Sequence, residues 1–195
     1  SNLESQRSAL RQHMIQVLES AYGIVPLIEG KIDRTLNVLS NLDSLAPGFE
    51  PRPPLGADLK AAFESILEQI LEYQYPAHPQ FLERPSITNL NKVRSVLEVA
   101  AQHPDGRVPL DRALRSLFQG IVVPLQLGEM GETHFVLGTA WKTHFLKCAT
   151  EAGGDLTVEA LRAATDLPAP RGLPKEVQNL LILTFADQTN RSFRL

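Results

Sequence analysis

The sequence predicts a mainly α protein, with helical arms, a winged-helix-like unit carrying a short β-hairpin, and a carboxy-terminal helical subdomain. Three observations predict it. Apolar residues recur at helical spacing through most of the chain. The interval from Thr88 to Gly138 runs helix, short strand, helix, third element and hairpin. The dense prolines and glycines from Pro47 to Gly56 separate the first helices from the rest. The expected organisation is a helical pair over 1–46, a linker over 47–57, the helical and winged-helix-like unit over 58–138, and helices packed on it over 139–195.

Taken in order, Leu10, Met14, Val17, Leu18 and Ala21 place one apolar face on a helix from Leu3 to Tyr22, which Gly23 stops. After Pro26 a weaker pattern of Leu27, Ile28, Ile32, Leu36, Leu39 and Leu42 predicts a second helix. Asp58 is a good N-cap for an amphipathic helix built on Phe63, Ile66, Leu67, Ile70 and Leu71, ending near Pro76. Thr88 is the expected cap of a helix carrying Leu90, Val93, Val96, Leu97, Ala100 and Ala101, which His103-Pro104 ends. Arg107 to Leu110 predicts a short strand, and Asp111 begins a helix that Gly120 is expected to break. The run Ile121 to Leu127 then leads through a Gly-rich turn into His134 to Leu137, a strand of a wing hairpin. Thr139 to Thr150 reads as a helix with Trp141, Phe145 and Cys148 on its core stripe, and Gly153-Gly154 ends it. A short helix follows from Leu156 to Arg162. Past a stiff loop, Pro174 opens a last helix, apolar on nearly every side from Val177 to Gln188, with Asp187 placed at solvent or the helix end.

Composition bounds the function. The 195 residues suit one large domain or two small ones, and 43% apolar content is ordinary for a folded protein. Nineteen lysines and arginines against 22 acids give a net charge of -3, which argues against a strongly basic nucleic-acid binder but leaves room for a local basic patch. Apolar runs such as Leu180 to Leu183 fall far short of the ~20 residues a membrane span needs. The one cysteine, Cys148, has no partner for an internal disulfide, so stability rests on packing and a cytoplasmic setting is expected. An opening on Ser1-Asn2 without an initiator Met suggests a piece of a longer protein.

The candidate chemistry is sparse. His78, between two prolines in Tyr75-Pro76-Ala77-His78-Pro79-Gln80-Phe81, reads as a packed loop histidine whose aromatic neighbours pin the loop to the core. His144 and Cys148 lie one helical turn apart with His134 upstream, a spacing that suits zinc, but a zinc site needs at least three such ligands and Cys148 falls on the apolar stripe. Gly138 to Thr143 has strand-to-helix placement like a phosphate loop, yet Trp141 stands where glycine should precede Lys142. An independent enzyme would need carboxylates joined to His78, His103 or His134, and no spacing requires that. For nucleic acid, Arg107, Arg112, Arg115, Lys142 and Lys147 are the candidate backbone contacts. Against them, the third element offers only Gln126 to read bases, and Glu129 and Glu132 in the following turn repel phosphates.

Three stretches carry a family resemblance: Ser44 to Phe49; Tyr75 to Phe81, with Tyr75, Pro76, His78, Pro79 and Phe81; and Leu156 to Arg162 with Gly172-Leu173 and Asn179 to Ile182. Together they resemble the large P-loop ATPases of bacteriophage-exclusion (BREX) and phage growth limitation systems, over the chain from about Ala21 to its end. The nucleotide-binding motif of that family lies well before a region like this one. The resemblance therefore implies a segment beyond the motor core, with ATP and magnesium bound by the parent protein and no cofactor, metal or catalytic residue here. It implies a non-catalytic interaction or regulatory module whose partners are other defence proteins or the rest of its own chain; the residues themselves predict no membrane, leave room for a homodimer, and give DNA backbone contact as the second reading.

Overall fold

The computed structural model describes residues 2–21, 46–52, 58–151, 153 and 156–192. They fall in two compact units, residues 1–74 and 75–195. Among the described residues the protein is mainly α with one small antiparallel sheet, the class the periodicity predicts.

In the first unit, α1 spans Asn2–Ala21. Its described side chains are exposed along its length, the apolar Leu10, Met14, Val17 and Leu18 included. The second helix expected over 27–42 lies outside the described residues. Helix α2, Leu59–Gln74, begins where the Asp58 carboxylate accepts the Ala61 amide at 2.8 Å. Part of the Pro/Gly-rich stretch is held along it. Tyr73 donates its hydroxyl to the Pro47 carbonyl at 2.7 Å, Phe49 stacks at a tilt on the Tyr73 ring, and the Gln69 amide oxygen accepts the Arg52 amide at 2.7 Å. This leaves Phe63, Leu67 and Leu71 as an exposed ridge at i, i+4 and i+8.

The second unit opens on the loop from Tyr75 and enters α3, Ile87–Gln102. Its cap is Ser86, two residues before the expected Thr88: the Ser86 hydroxyl accepts the Asn89 amide at 3.3 Å, so Thr88 sits inside the first turn. Strand β1 is Arg107–Pro109. From Arg112 one continuous helical path follows, a tight turn over Arg112–Leu114, then α4 (Arg115–Leu117), then a widened turn over Phe118–Val122.

Gly120, expected from its residue type to break the helix, does not; it lies inside the widened turn. The cause is a distant loop. The Gly120 carbonyl accepts the amides of Leu82 at 3.0 Å and Glu83 at 3.4 Å, and a Cβ on Gly120 would lie 2.8 Å from the Glu83 nitrogen. A glycine here lets the loop backbone touch the helix, and the helix widens to present that carbonyl.

Strands β2 (Gly128–Met130) and β3 (His134–Leu137) form the hairpin, and the sheet order is β1-β3-β2, all antiparallel. Val108 and Phe135 pair across its inner face, while Arg107, Val136 and Glu129 share one row on the outer face. Helices α5 (Ala140–Glu151), α6 (Val158–Ala164) and α7 (Lys175–Gln188) complete the unit. The Thr157 hydroxyl caps α6 by accepting the Ala160 amide at 3.1 Å.

Val177, Leu181 and Phe185 of α7 are buried, and Phe145 of α5 meets Phe185 edge-on at 5.3 Å. One apolar core runs from α3 through the sheet and α5 to α7. Asp187 stands in the last turn of α7, half-buried, as the expected helix-end placement has it. Its carboxylate lies 2.7 Å from the Arg94 guanidinium, tying α7 to α3.

Candidate functional site

The Tyr75–Phe81 loop is held by the loop that precedes α7. Ala77 donates its amide to the Pro170 carbonyl at 3.2 Å, and His78 donates through Nδ1 to the Arg171 carbonyl at 2.6 Å. The Tyr75 ring packs so closely on Gly172 that a Cβ there would fall 2.5 Å from the ring.

Arg171 is itself locked. Its guanidinium donates to the carbonyls of Thr165 and Leu167, each at 2.8 Å, and lies 5.1 Å from the centre of the Trp141 ring. The Asp166 carboxylate accepts the amides of Arg171 and Gly172. His78, expected as a packed loop histidine, is instead exposed, held by its bond to Arg171 and with its ring edge-on to Phe81. Pro76 is exposed and Pro79 half-buried in the same loop. Nothing in this clasp has the layout of a nucleophile and base: each polar group holds backbone in place.

The other histidines stand apart. His103 ends α3, and His134 pairs with Pro109 at the sheet edge of β1. His144 donates through Nε2 to the Ala164 carbonyl at 2.8 Å, and the Cys148 sulfur lies 3.7 Å from that nitrogen. The first of these contacts joins α5 to α6, and the second stays within α5. Among the described residues no three His, Cys, Asp or Glu side chains gather as a metal site. Beside Cys148 a cavity of about 200 Å³ is lined by Phe145, Ala149, Leu156, Leu161 and Ala164 among others.

The basic residues are spread over three elements. Arg107 is on the outer face of β1, Arg112 and Arg115 are on the helical path that follows, and Lys142 and Lys147 are on α5. Glu129 shares the row of Arg107, one strand beyond the Val136 that separates them. The Lys142 amine reaches the Gln188 carbonyl at 3.5 Å, and Lys147 lies 3.9 Å from Glu151. The third element is core: Ile121, Val122, Leu125 and Leu127 are buried, and the Leu125 carbonyl accepts the Trp141 indole N–H at 2.6 Å. Only Gln126 is exposed there.

Apolar surface is the more prominent feature. On α2 the ridge residues Phe63, Leu67 and Leu71 are 65%, 42% and 45% exposed. In the second unit, α3 and α7 lie side by side and leave a groove of about 270 Å³ lined by Ile87, Leu90 and Arg94 on α3 and by Glu176, Leu180 and Leu183 on α7. Its two rims, Ile87 and Leu183, are 66% and 44% exposed. Sequence reasoning found the helices but not this groove, because a pattern of apolar positions within one helix does not say which neighbour will leave its outer edge uncovered.

Comparison with known proteins follows the same division. Residues 88–186 match the family model described as the BREX System ATPase PglY protein 5th domain, and residues 1–75 match the PglY fourth domain. No solved structure matches the chain. Among the described residues no helix is long and apolar enough to cross a membrane.

Proposed function

The chain belongs to the BREX system ATPase PglY family, and we propose that it serves that ATPase as a non-catalytic interaction module, docking other defence components or another part of its own chain. The observation that carries this is the exposed apolar surface on helices, above all the Phe63, Leu67 and Leu71 ridge of α2 and the rims of the α3–α7 groove. Large apolar side chains grouped along one helix face are costly to leave in water, at ~25 cal/mol per Å² of apolar area, and such grouping marks contact surfaces. In this reading ATP and magnesium are held by the motor elsewhere in a cytoplasmic ATPase, and this segment holds neither.

The test is isothermal titration of this chain with the rest of its ATPase and, separately, with each purified partner of the same defence system. Binding to one of them, lost in a Phe63→Asp/Leu67→Asp variant or an Ile87→Asp/Leu183→Asp variant, supports the module. No binding to any component, or binding that both variants retain, counts against it.

A second reading is favoured by one observation, the passage from α3 through β1 and a helical segment to a hairpin with strand order β1-β3-β2, which is the layout of a winged-helix-like unit. In that reading Arg107, Arg112, Arg115, Lys142 and Lys147 approach phosphates without reading bases. It ranks second because the element that would enter a groove is buried and Glu129 lies in the Arg107 row. Salt-sensitive binding of non-specific duplex or single-stranded DNA, abolished by Arg112→Glu/Arg115→Glu, would promote it; no binding at low salt would remove it.

A further inference from the structure

Helices α3 and α7 carry matched stripes whose first three positions line the groove between them. On α3 the stripe is Ile87, Asn91, Arg94 and Glu98; on α7 it is Glu176, Leu180, Leu183 and Asp187, with the same spacing of four, three and four residues. Side chains at such spacing lie above one another on one face, so each helix lines the groove for about two turns, roughly 10 Å at 1.5 Å per residue. The middle is apolar, from Leu90 and Leu180, with Ile87 and Leu183 at the rims. A volume of about 270 Å³ is at or below the ~300–1,000 Å³ usual for small-molecule pockets, and the groove is open along its length. It suits side-chain knobs more than a free ligand.

The charges on these stripes are unequal. Arg94 is held by Asp187 at 2.7 Å and by Glu98 at 3.6 Å, so its charge is already met. Glu176, exposed at the other end in the first turn of α7, has no ion-pair partner among the described residues. Along the two stripes three carboxylates therefore stand against one guanidinium, Glu176 lining the groove and Glu98 and Asp187 one turn beyond it beside Arg94.

We propose that the α3–α7 groove seats a cationic amphipathic helix of a partner protein, which sets apolar side chains spaced three or four residues apart between Ile87 and Leu183 and brings a lysine or arginine to Glu176. The proposal rests on the docking-module reading and names the site and the chemistry of the partner. Two side-by-side helices form the groove that a third helix fills by ridge packing, and the helical backbone of α3 and α7 offers no free strand edge for an extended peptide. The carboxylate excess steers a basic helix toward the groove and an acidic one away from it.

The probe is a pair of fluorescein-labelled helical peptides sharing leucines at i, i+3, i+4 and i+7, one with flanking lysines and one with flanking glutamates. Fluorescence anisotropy is read for this chain and for Ile87→Asp, Leu183→Asp and Glu176→Lys, each first checked by circular dichroism for native helix content. The lysine peptide is expected to bind at least about tenfold more tightly than the glutamate peptide, with about tenfold loss in Ile87→Asp and Leu183→Asp and a reduced or reversed preference in Glu176→Lys. Equal binding of the two peptides, no binding of either, or affinity unchanged in Leu183→Asp overturns the proposal. Lysine-peptide binding that survives these variants but is lost in Phe63→Asp/Leu67→Asp overturns the groove while leaving the docking module standing on α2.

Discussion

Substituting Gly172 by alanine tests the clasp between the Tyr75 loop and the loop before α7. Two costs follow from the structure. Gly172 has φ +58°, where a Cβ meets the following carbonyl, a strain of about 1–2 kcal/mol. The added methyl would also fall 2.5 to 2.7 Å from three atoms of the Tyr75 ring, and displacing that ring costs about 1–3 kcal/mol as overpacking. Gly172→Ala should therefore lose roughly 2–5 kcal/mol.

The two terms separate in a Tyr75→Ala background. With the ring gone only the backbone strain remains, so the second substitution should cost about 1–2 kcal/mol and the cycle should show a coupling of about 1–3 kcal/mol. Urea unfolding followed by tryptophan fluorescence is the assay, since Trp141 is the only tryptophan and Arg171 of the clasp lies over its ring. If Gly172→Ala costs the same in both backgrounds, the ring is not the obstacle. If it costs under about 0.5 kcal/mol, the range expected of an unremarkable surface change, the clasp does not hold this geometry in solution.

Two further outcomes follow from the same packing. Arg94→Ala or Asp187→Ala should each destabilise the second unit by about 1–3 kcal/mol in urea unfolding, below the 3–5 of a fully buried pair because roughly a fifth to a quarter of each side chain meets solvent; the double variant should lose less than the sum. Thr157→Ala removes the cap of α6 and should cost about 1 kcal/mol, whereas Thr157→Asp, which restores an acceptor at the same place, should recover most of it in the same assay.

Most helices were legible because each buries a stripe at helical spacing: Leu90, Val93, Leu97 and Ala100 on α3, and Val177, Leu181 and Phe185 on α7, are buried as that spacing requires. What was not legible depended on partners far away in the chain. Gly120 looks like a helix breaker until Glu83 is seen against it. Asp187 is at a helix end as its position suggests, but nothing in the local sequence says that Arg94 stands beside it. The cap of α3 was displaced for a local reason, since Ser86 and Thr88 have the same capping chemistry and only the path of the chain into the helix selects the first. The exposed groove was hidden for the opposite reason: it is defined by what does not cover α3 and α7.

Two of the three stretches that carry the family resemblance, Tyr75 to Phe81 and the group from Leu156 to Ile182, turn out to hold one another. Tyr75 packs on Gly172, His78 bonds Arg171 between the two clasped loops, and Arg162 donates to Asn179 at 2.9 Å, joining the short Leu156 to Arg162 stretch to the start of the Asn179 to Ile182 stretch. His78, the Thr157 hydroxyl and one arm of the Arg162 guanidinium are engaged with backbone or with a neighbouring side chain in this network. The residues that carry the resemblance thus fix loops, and in the proposed docking reading the partner is selected by others. Those others are exposed, apolar and outside the shared stretches, as Phe63, Leu67, Ile87 and Leu183 are. Substituting the clasp residues should lower stability, and substituting the exposed ones should alter binding with stability kept within about 0.5 kcal/mol. That separation is the consequence most worth testing, because an enzyme site built from the shared stretches would lose activity and stability together.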